Sequence, residues 1–178
     1  MSFPELIFGN QEAYCSTLIQ IDNFFLDHRR QLADVDFRAR QIKTAYICLE
    51  HFFQEFTGPI CSSCMEPCCV NRHGFPDFED LIVLRAMEIE PPAFNCQCID
   101  TEPCQFLSPA GCILPRIRRS YRCTWYFCDV CMDKFQQLNC VEFIHFRYEM
   151  TLLSQRRTEL LRLFEEEWMR SCQSGSYG

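Results

Sequence analysis

Apolar residues recur at the spacing of an α-helix in two long stretches, residues 10–56 and 133–172, which contain no glycine or proline. In the first stretch the repeating positions are Leu18, Ile21, Phe25, Ile42, Ala45, Tyr46, Leu49, Phe52, Phe53 and Phe56. In the second they are Phe135, Leu138, Phe143, Phe146, Met150, Leu153, Leu160, Phe164 and Trp168. The pattern predicts an N-terminal helical part over residues 10–57 and a C-terminal helical part over residues 133–172.

The N-terminal part is expected to be two helices, or one helix broken near residues 33–37. Its end is predicted at Thr57-Gly58-Pro59, because glycine favours a helix C-terminus and proline cannot continue the helix. The segment that follows, residues 58–132, lacks the periodicity and holds most of the prolines. There we expect one short helix, capped by Asp77 and running to about Met87, and a tight turn over residues 109–111.

These elements and the chain length of 178 residues predict one domain, residues 1–178. The predicted fold class is mainly α. The N- and C-terminal helices are expected to pack around an irregular, cysteine-rich metal-binding centre formed by residues 58–132.

Eleven of the fifteen cysteines lie between residues 61 and 131. Cys61 and Cys64 are separated by two residues, and so are Cys128 and Cys131. This spacing allows one turn of the backbone to direct two sulfurs at one metal ion. The interval between the two pairs is longer than in common zinc sites, so a pairing of both on one zinc is a weak prediction.

Cys68 and Cys69 are adjacent, and adjacent side chains diverge on a helix and on a strand. One of the two is therefore expected to face a second metal, another atom or the core, which indicates a multinuclear centre or two neighbouring sites. Cys48 and Cys140 fall within the helical apolar patterns and are predicted to be small core residues.

The sequence shows no secretory signal and no run of about 18 apolar residues, so we expect a cytoplasmic protein that does not cross a membrane. The cytoplasm keeps thiols reduced, which favours metal ligands over disulfides. A disulfide-stabilised binding protein stays open as an alternative. The formal net charge of −7 argues against general nucleic-acid binding, which requires a basic surface. A protein partner and the oligomeric state are left open.

Several motifs resemble those of the CxxCxxCC cysteine-cluster proteins, the YkgJ-type family. They are Cys61-x2-Cys64-x3-Cys68-Cys69, Cys104-Gln-Phe-Leu-x4-Cys112-Ile, and Arg119-x2-Arg122-Cys123 followed by Cys128. Two features depart from the family pattern: Pro115-Arg116 is inverted, and Arg122 precedes Cys123 instead of following it. The resemblance covers less than half of the chain. It implies eight metal ligands: Cys61, Cys64, Cys68, Cys69, Cys104, Cys112, Cys123 and Cys128.

Members of this family are regarded as zinc- or iron-chelating proteins, so the resemblance implies a metal-binding protein with an all-cysteine centre. Thiolates suit both zinc and iron–sulfur clusters, and the multinuclear argument slightly favours a cluster. Flagellin lysine methylases, which are iron–sulfur proteins, contain a similar cysteine cluster. That likeness leaves open an enzyme that uses the centre for group transfer or redox chemistry; no catalytic residue is predicted.

The densest basic run of the chain lies among the cysteines, and Arg119 and Arg122 belong to it. We expect these two arginines to bind an anionic group beside the metal or to donate hydrogen bonds to its sulfur ligands. The alternative is that the run is a solvated loop.

Overall fold

The computed structural model describes residues 3–173, and most of them are helical. Helix α1, Gln11–Asp27, begins at Asn10, whose side-chain oxygen accepts a hydrogen bond from the N–H of Ala13 at 2.9 Å. Helix α2, Ala33–Phe52, follows after a turn over residues 28–32. Of the two alternatives, two helices or one broken helix, the structure has two helices, and the turn between them lies just before the expected segment.

Helix α2 does not end where the sequence predicts. It continues through a π-helical turn, Phe53–Thr57, into helix α3, Gly58–Ser62. In the π-helical turn the carbonyl of Phe53 accepts the N–H of Gly58, one residue beyond the partner it would have in an α-helix, and also the hydroxyl of Thr57. Pro59 then lies in the first turn of α3, where its missing N–H leaves no intrahelical hydrogen bond unmade. The predicted stop at residues 57–59 was therefore wrong.

The segment that holds the cysteines is irregular, as predicted. Its elements are helix α4, Asn71–Gly74; helix α5, Phe78–Ala86; strands β1, Leu107–Ser108, and β2, Gly111–Cys112; a 3₁₀ helix, Arg116–Arg118; and helix α6, Arg122–Trp125. Asp77 caps α5 through a capping box with Asp80, which confirms the predicted helix start. Strands β1 and β2 form an antiparallel hairpin with Leu107 opposite Cys112. The predicted turn joins them.

The C-terminal part consists of helix α7, Asp129–Phe135, and helix α8, Cys140–Gln173. The apolar stripe did not predict the break between them. The side chain of Asn139 accepts the N–H of Glu142 at 3.0 Å and so caps the start of α8. Among residues 3–173 no helix is long and apolar enough to cross a membrane.

The 34-residue helix α8 packs along α2 and reaches back to α1. Phe146 of α8 contacts Phe52 of α2, with 5.5 Å between ring centroids, and Phe164 contacts Phe24 of α1 at 5.0 Å. These side chains belong to one buried cluster that also includes α5 and α7. The mainly α fold, with N- and C-terminal helices in contact, is therefore present as predicted.

A buried ion pair joins α8 to the irregular segment. Arg157 donates to Glu79 at 2.7 Å and to Asp80 at 3.1 Å, and its guanidinium lies 4.4 Å from the centroid of the Tyr121 ring. The same carboxylate oxygen of Asp80 accepts the backbone N–H of Tyr121 at 3.0 Å. Burial, with Asp77 close by, raises the pKa of Asp80 to about 6, and Arg157 acts against this rise. The guanidinium of Arg157 thus connects helix α8, the start of helix α5 and the segment at Tyr121.

Replacing Arg157 should destabilise the fold strongly, because Arg157→Leu leaves the buried Asp80 without its counter-charge. The expected loss is about 3–5 kcal/mol of unfolding free energy, measured by urea denaturation. Arg162→Leu is the control: Arg162 lies on the same helix and pairs with Glu159 and Glu166 in solvent, so stability should hardly change. Equal losses for the two variants would contradict this account.

Candidate metal centre

A cavity of about 380 Å³ brings together cysteines that are far apart in the sequence. The cysteines that line it are Cys61, Cys68, Cys69, Cys104, Cys112, Cys123, Cys128 and Cys131. Seven of these are among the eight ligands that the resemblance implies. The eighth, Cys64, is exposed and does not line the cavity. Cys131 lines it although the motif does not include it.

Cys69 and Cys104 are held together by the backbone. The N–H of Cys104 donates to the carbonyl of Cys69 at 2.9 Å. Asn71, which is almost fully buried, donates its side-chain amide to the carbonyl of Ile99 at 2.8 Å and accepts the N–H of Gln105, also at 2.8 Å. The side chain of Asn71 therefore fixes residues 99–105 against the segment that carries Cys69. Sequence reasoning missed Asn71.

Glycine at position 74 is required for the position of Cys104. A Cβ atom on Gly74 would lie 2.8 Å from the sulfur of Cys104, closer than such atoms approach one another. Gly74 is the last residue of helix α4, so the end of this short helix lies directly against Cys104. Any larger residue at position 74 has to displace the Cys104 thiol.

Cys123 lies on helix α6 beside two polar neighbours. The hydroxyl of Ser120 donates to the carbonyl of His73 at 2.9 Å and lies 3.3 Å from the Cys123 sulfur. The imidazole Nδ1 of His73 is 3.1 Å from the carbonyl of Cys68. These contacts join helix α4, the double cysteine and α6 on one side of the cavity.

Cys128 and Cys131 form the second two-residue pair of the sequence, and their sulfurs are 3.6 Å apart. Cys128 precedes helix α7 with extended backbone angles, and Cys131 is the third residue of that helix. Phe127, which precedes the pair, packs edge-on against Phe135 with 4.9 Å between ring centroids. The pair is therefore anchored to the aromatic core.

Arg116 places a positive charge in the wall of the cavity. It is 8 % exposed, donates to the carbonyl of Cys123 at 2.6 Å, and stacks 3.9 Å from the centroid of the Phe53 ring. A second donor reaches the Thr57 hydroxyl at 3.3 Å, while its buried Nε has no hydrogen-bond partner. Within residues 3–173, no carboxylate forms an ion pair with it. Burial, and then the neighbouring Arg119, lowers the pKa of Arg116 to about 10.

Both predicted cofactor-binding arginines also line the cavity. Arg119 donates to the carbonyl of Leu114 at 2.9 Å and to that of Cys112 at 3.5 Å, so it braces the hairpin that carries Cys112. Arg122 is exposed and lies between this cavity and a second, polar cavity next to Arg157. Of the two arginines, Arg122, the first residue of α6, is therefore the one that is exposed to solvent.

Six of the eight cavity thiols have a pKa above the ordinary value for cysteine. Burial is the largest cause of the raised pKa of Cys61, Cys68, Cys69, Cys104, Cys123 and Cys131. For Cys69 and Cys131 the pKa reaches about 12. The cavity wall thus combines guanidinium groups, the carboxylate of Glu50 and thiols whose deprotonation is opposed by burial.

The other cysteines lie elsewhere, and all fifteen are free thiols. Cys48 and Cys140 are exposed on α2 and α8, so the prediction that they are core residues was wrong. Cys48 lies on the solvent side of α2 although Ile47 and Leu49 beside it are apolar, and Cys140 lies at the exposed start of α8. Cys68 is exposed and Cys69 half-buried, and neither belongs to the hydrophobic core.

The eight cysteine sulfurs are ligands that suit a soft metal, but they are not positioned around one point as the ligands of a bound metal are. Among the residues that the structure describes, no three His, Cys, Asp or Glu side chains are grouped so that they could hold a metal ion. Eight thiols nevertheless border one cavity, and thiolate is the ligand that zinc and iron–sulfur clusters prefer. A buried cation with an unpartnered Nε lies beside them.

Comparisons of the chain with models of protein families, with curated proteins and with solved structures found no match. The resemblance to the CxxCxxCC family therefore remains a prediction from the cysteine motifs.

Proposed function

We propose that this protein binds a transition metal, as zinc or an iron–sulfur cluster, through thiolates that line the cysteine cavity. The observation that carries the proposal is the convergence of eight cysteines, from residues 61 to 131 of the chain, on one cavity of about 380 Å³. Free thiols are rarely grouped at this density without a chemical use, because they oxidise and mispair. Metal binding in this proposal requires rotation of the side chains toward a common centre.

Charge supports the proposal. A buried arginine without a carboxylate partner is costly unless another negative charge compensates it. Metal centres with four thiolate ligands carry net negative charge, and Arg116 lies beside Cys123. Its guanidinium would therefore gain its counter-charge when the thiols lose their protons to become ligands.

The geometry of Cys128 and Cys131 supports their sharing one metal ion. Two thiolates on one tetrahedral metal with bonds of about 2.3 Å lie about 3.8 Å apart. The observed separation of their sulfurs is 3.6 Å. A [4Fe–4S] cluster places each thiolate on a different iron, so this pair favours zinc or a [2Fe–2S] cluster. We add Cys131 to the proposed ligands on this basis.

A reducing compartment such as the cytoplasm would keep these thiols available for metal, which is the location we propose. The second cavity, of about 740 Å³, adjoins the first through Arg72, His73 and Arg122. A pocket next to a metal centre is what a metal-dependent enzyme would need, and this observation favours group transfer or redox chemistry as the second candidate function.

Protein purified without oxygen should contain metal held by the cavity cysteines. Cys104→Ser should lose most of that metal, because serine replaces a thiolate by a weaker ligand for soft metals. Cys48→Ser is the matched control, since Cys48 is exposed on α2 and outside the cavity. Elemental analysis gives the metal, and a brown colour separates an iron–sulfur cluster from zinc. Metal-free wild-type protein after anaerobic reconstitution with zinc and with iron and sulfide would refute the proposal.

Gly74→Ala should lower metal retention without changing any cysteine, because the added methyl group displaces the Cys104 sulfur. Gly58→Ala is the control, as a Cβ there would make only an ordinary 3.6 Å contact with the carbonyl of Phe53. The measurement is the metal-to-protein ratio after dialysis against a competing chelator, with circular dichroism to confirm the helical content. Equal retention by the two variants would contradict the claim that Gly74 is needed to position Cys104 for metal binding.

Arg116→Met should weaken metal binding by about 10- to 100-fold, since loss of a group that supports the metal ligands from outside typically costs that much affinity. Arg118→Met is the control within the same 3₁₀ helix, because Arg118 donates to the carbonyls of Glu90 and Pro91 instead. Chelator competition gives the affinity, and thermal unfolding of the metal-free proteins separates this effect from a general loss of stability. Unchanged affinity in Arg116→Met would contradict the charge argument.

A further inference from the structure

Cys128 and Cys131 are close enough for a chemistry other than metal binding. Their sulfurs are 3.6 Å apart, and two residues separate them in the sequence. Cys128 is the residue that precedes α7, and Cys131 is the third residue of the helix. These two positions meet on the same side of a helix start, as the two side chains of a capping box do.

We propose that Cys128 and Cys131 form a reversible disulfide by exchange with a disulfide compound that reaches the cavity. A disulfide bond is about 2.05 Å long, so the sulfurs have to approach by about 1.5 Å. Rotation about the Cα–Cβ bonds can supply this movement, because both side chains already point at each other.

Exposure assigns different roles to the two thiols. Cys128 is half-buried, whereas Cys131 is 4 % exposed. An external disulfide can reach the sulfur of Cys128 first, and the sulfur of Cys131 is placed to react with Cys128 afterwards. Cys128 is therefore the attacking thiol and Cys131 the resolving thiol.

The exchange takes place in two substitutions at sulfur. The Cys128 thiolate attacks the external disulfide: a bond forms to one of its sulfurs, the external sulfur–sulfur bond breaks, and one thiolate leaves. The Cys131 thiolate then attacks the Cys128 sulfur, the intramolecular disulfide forms, and the second external thiolate leaves. Two protein thiols are oxidised, one external disulfide is reduced to two thiols, and the two protons pass to those thiols.

One consequence rests on the proposed function. If Cys128 and Cys131 hold a metal, their oxidation removes two thiolate ligands at once. The metal centre would then be lost under oxidising conditions and recovered after reduction. The disulfide itself does not depend on metal and can be tested without it.

The test uses reduced, full-length protein from which metal has been removed with a chelator. After brief treatment with limiting glutathione disulfide, the remaining thiols are alkylated and the protein is cleaved with chymotrypsin. Cleavage after Phe127 and Phe135 gives the fragment 128–135, which contains these two cysteines and no other. The expected product is this fragment without alkyl groups and lighter by two hydrogens. A doubly alkylated fragment, while other cysteines are oxidised, would overturn the proposal.

Two variants test the roles. Cys131→Ser should accumulate glutathione on Cys128, since no thiol remains to resolve the mixed disulfide. Cys128→Ser should carry little glutathione on Cys131, which is buried. Cys48→Ser should behave as the wild type, and circular dichroism confirms that each variant is folded. Glutathione on Cys131 in place of Cys128 would reverse the assignment and refute it.

Metal content during oxidation distinguishes the two proposals. Protein that never binds metal but forms the 128–131 disulfide would refute the proposed function and support the thiol pair. Metal that stays bound while this disulfide forms would overturn the proposed release. Loss of metal in step with disulfide formation is the expected result.

Discussion

The contact between Arg157 and Asp80 links the helical scaffold to the cysteine segment. Arg157 belongs to the long helix α8, Asp80 to the capped start of α5, and the same carboxylate accepts the N–H of Tyr121. Because Tyr121 immediately precedes α6, this hydrogen bond also fixes the helix that carries Cys123. Burying two charges costs desolvation energy, so the pair contributes less to net stability than to the relative placement of these segments.

Charge determines what the cysteine cavity can contain. Its wall combines thiols whose pKa is raised by burial with the buried guanidinium of Arg116, which forms no ion pair with a carboxylate among residues 3–173. Glu50 also lines the cavity and acts against the lowered pKa of Arg116. Phe53 and Thr57 hold this guanidinium in place, and the π-helical turn of α2 puts both residues at the cavity. The irregular turn of the helix therefore serves the site directly, as π-helical turns often do in proteins.

The sequence predicted those features that depend on local patterns. Buried positions such as Ile21, Leu49 and Phe164 followed from helical periodicity, and the cap at Asp77 followed from residue type. The continuation of α2 past residue 57 could not be predicted, because the Thr57 hydroxyl is held by Arg116, 59 residues away. The helix break before Asn139 had a local signal, a capping asparagine, which an apolar stripe alone does not reveal.

The cysteine cavity likewise combines features that follow from sequence motifs with features that depend on contacts between distant residues. The resemblance to the CxxCxxCC family pointed to seven of the cavity cysteines, but the exposure of Cys64 depends on how its loop packs. Asn71 and Gly74 position Cys104 through contacts with distant segments, and nothing in their own neighbourhood marks them. Cys131 belongs to a spacing pattern that fits either a metal or a disulfide. Since a disulfide sulfur is no longer a thiolate and is a poor metal ligand, the two chemistries exclude each other at Cys128 and Cys131. The redox state of this pair would therefore decide whether the two cysteines bind metal or form a disulfide.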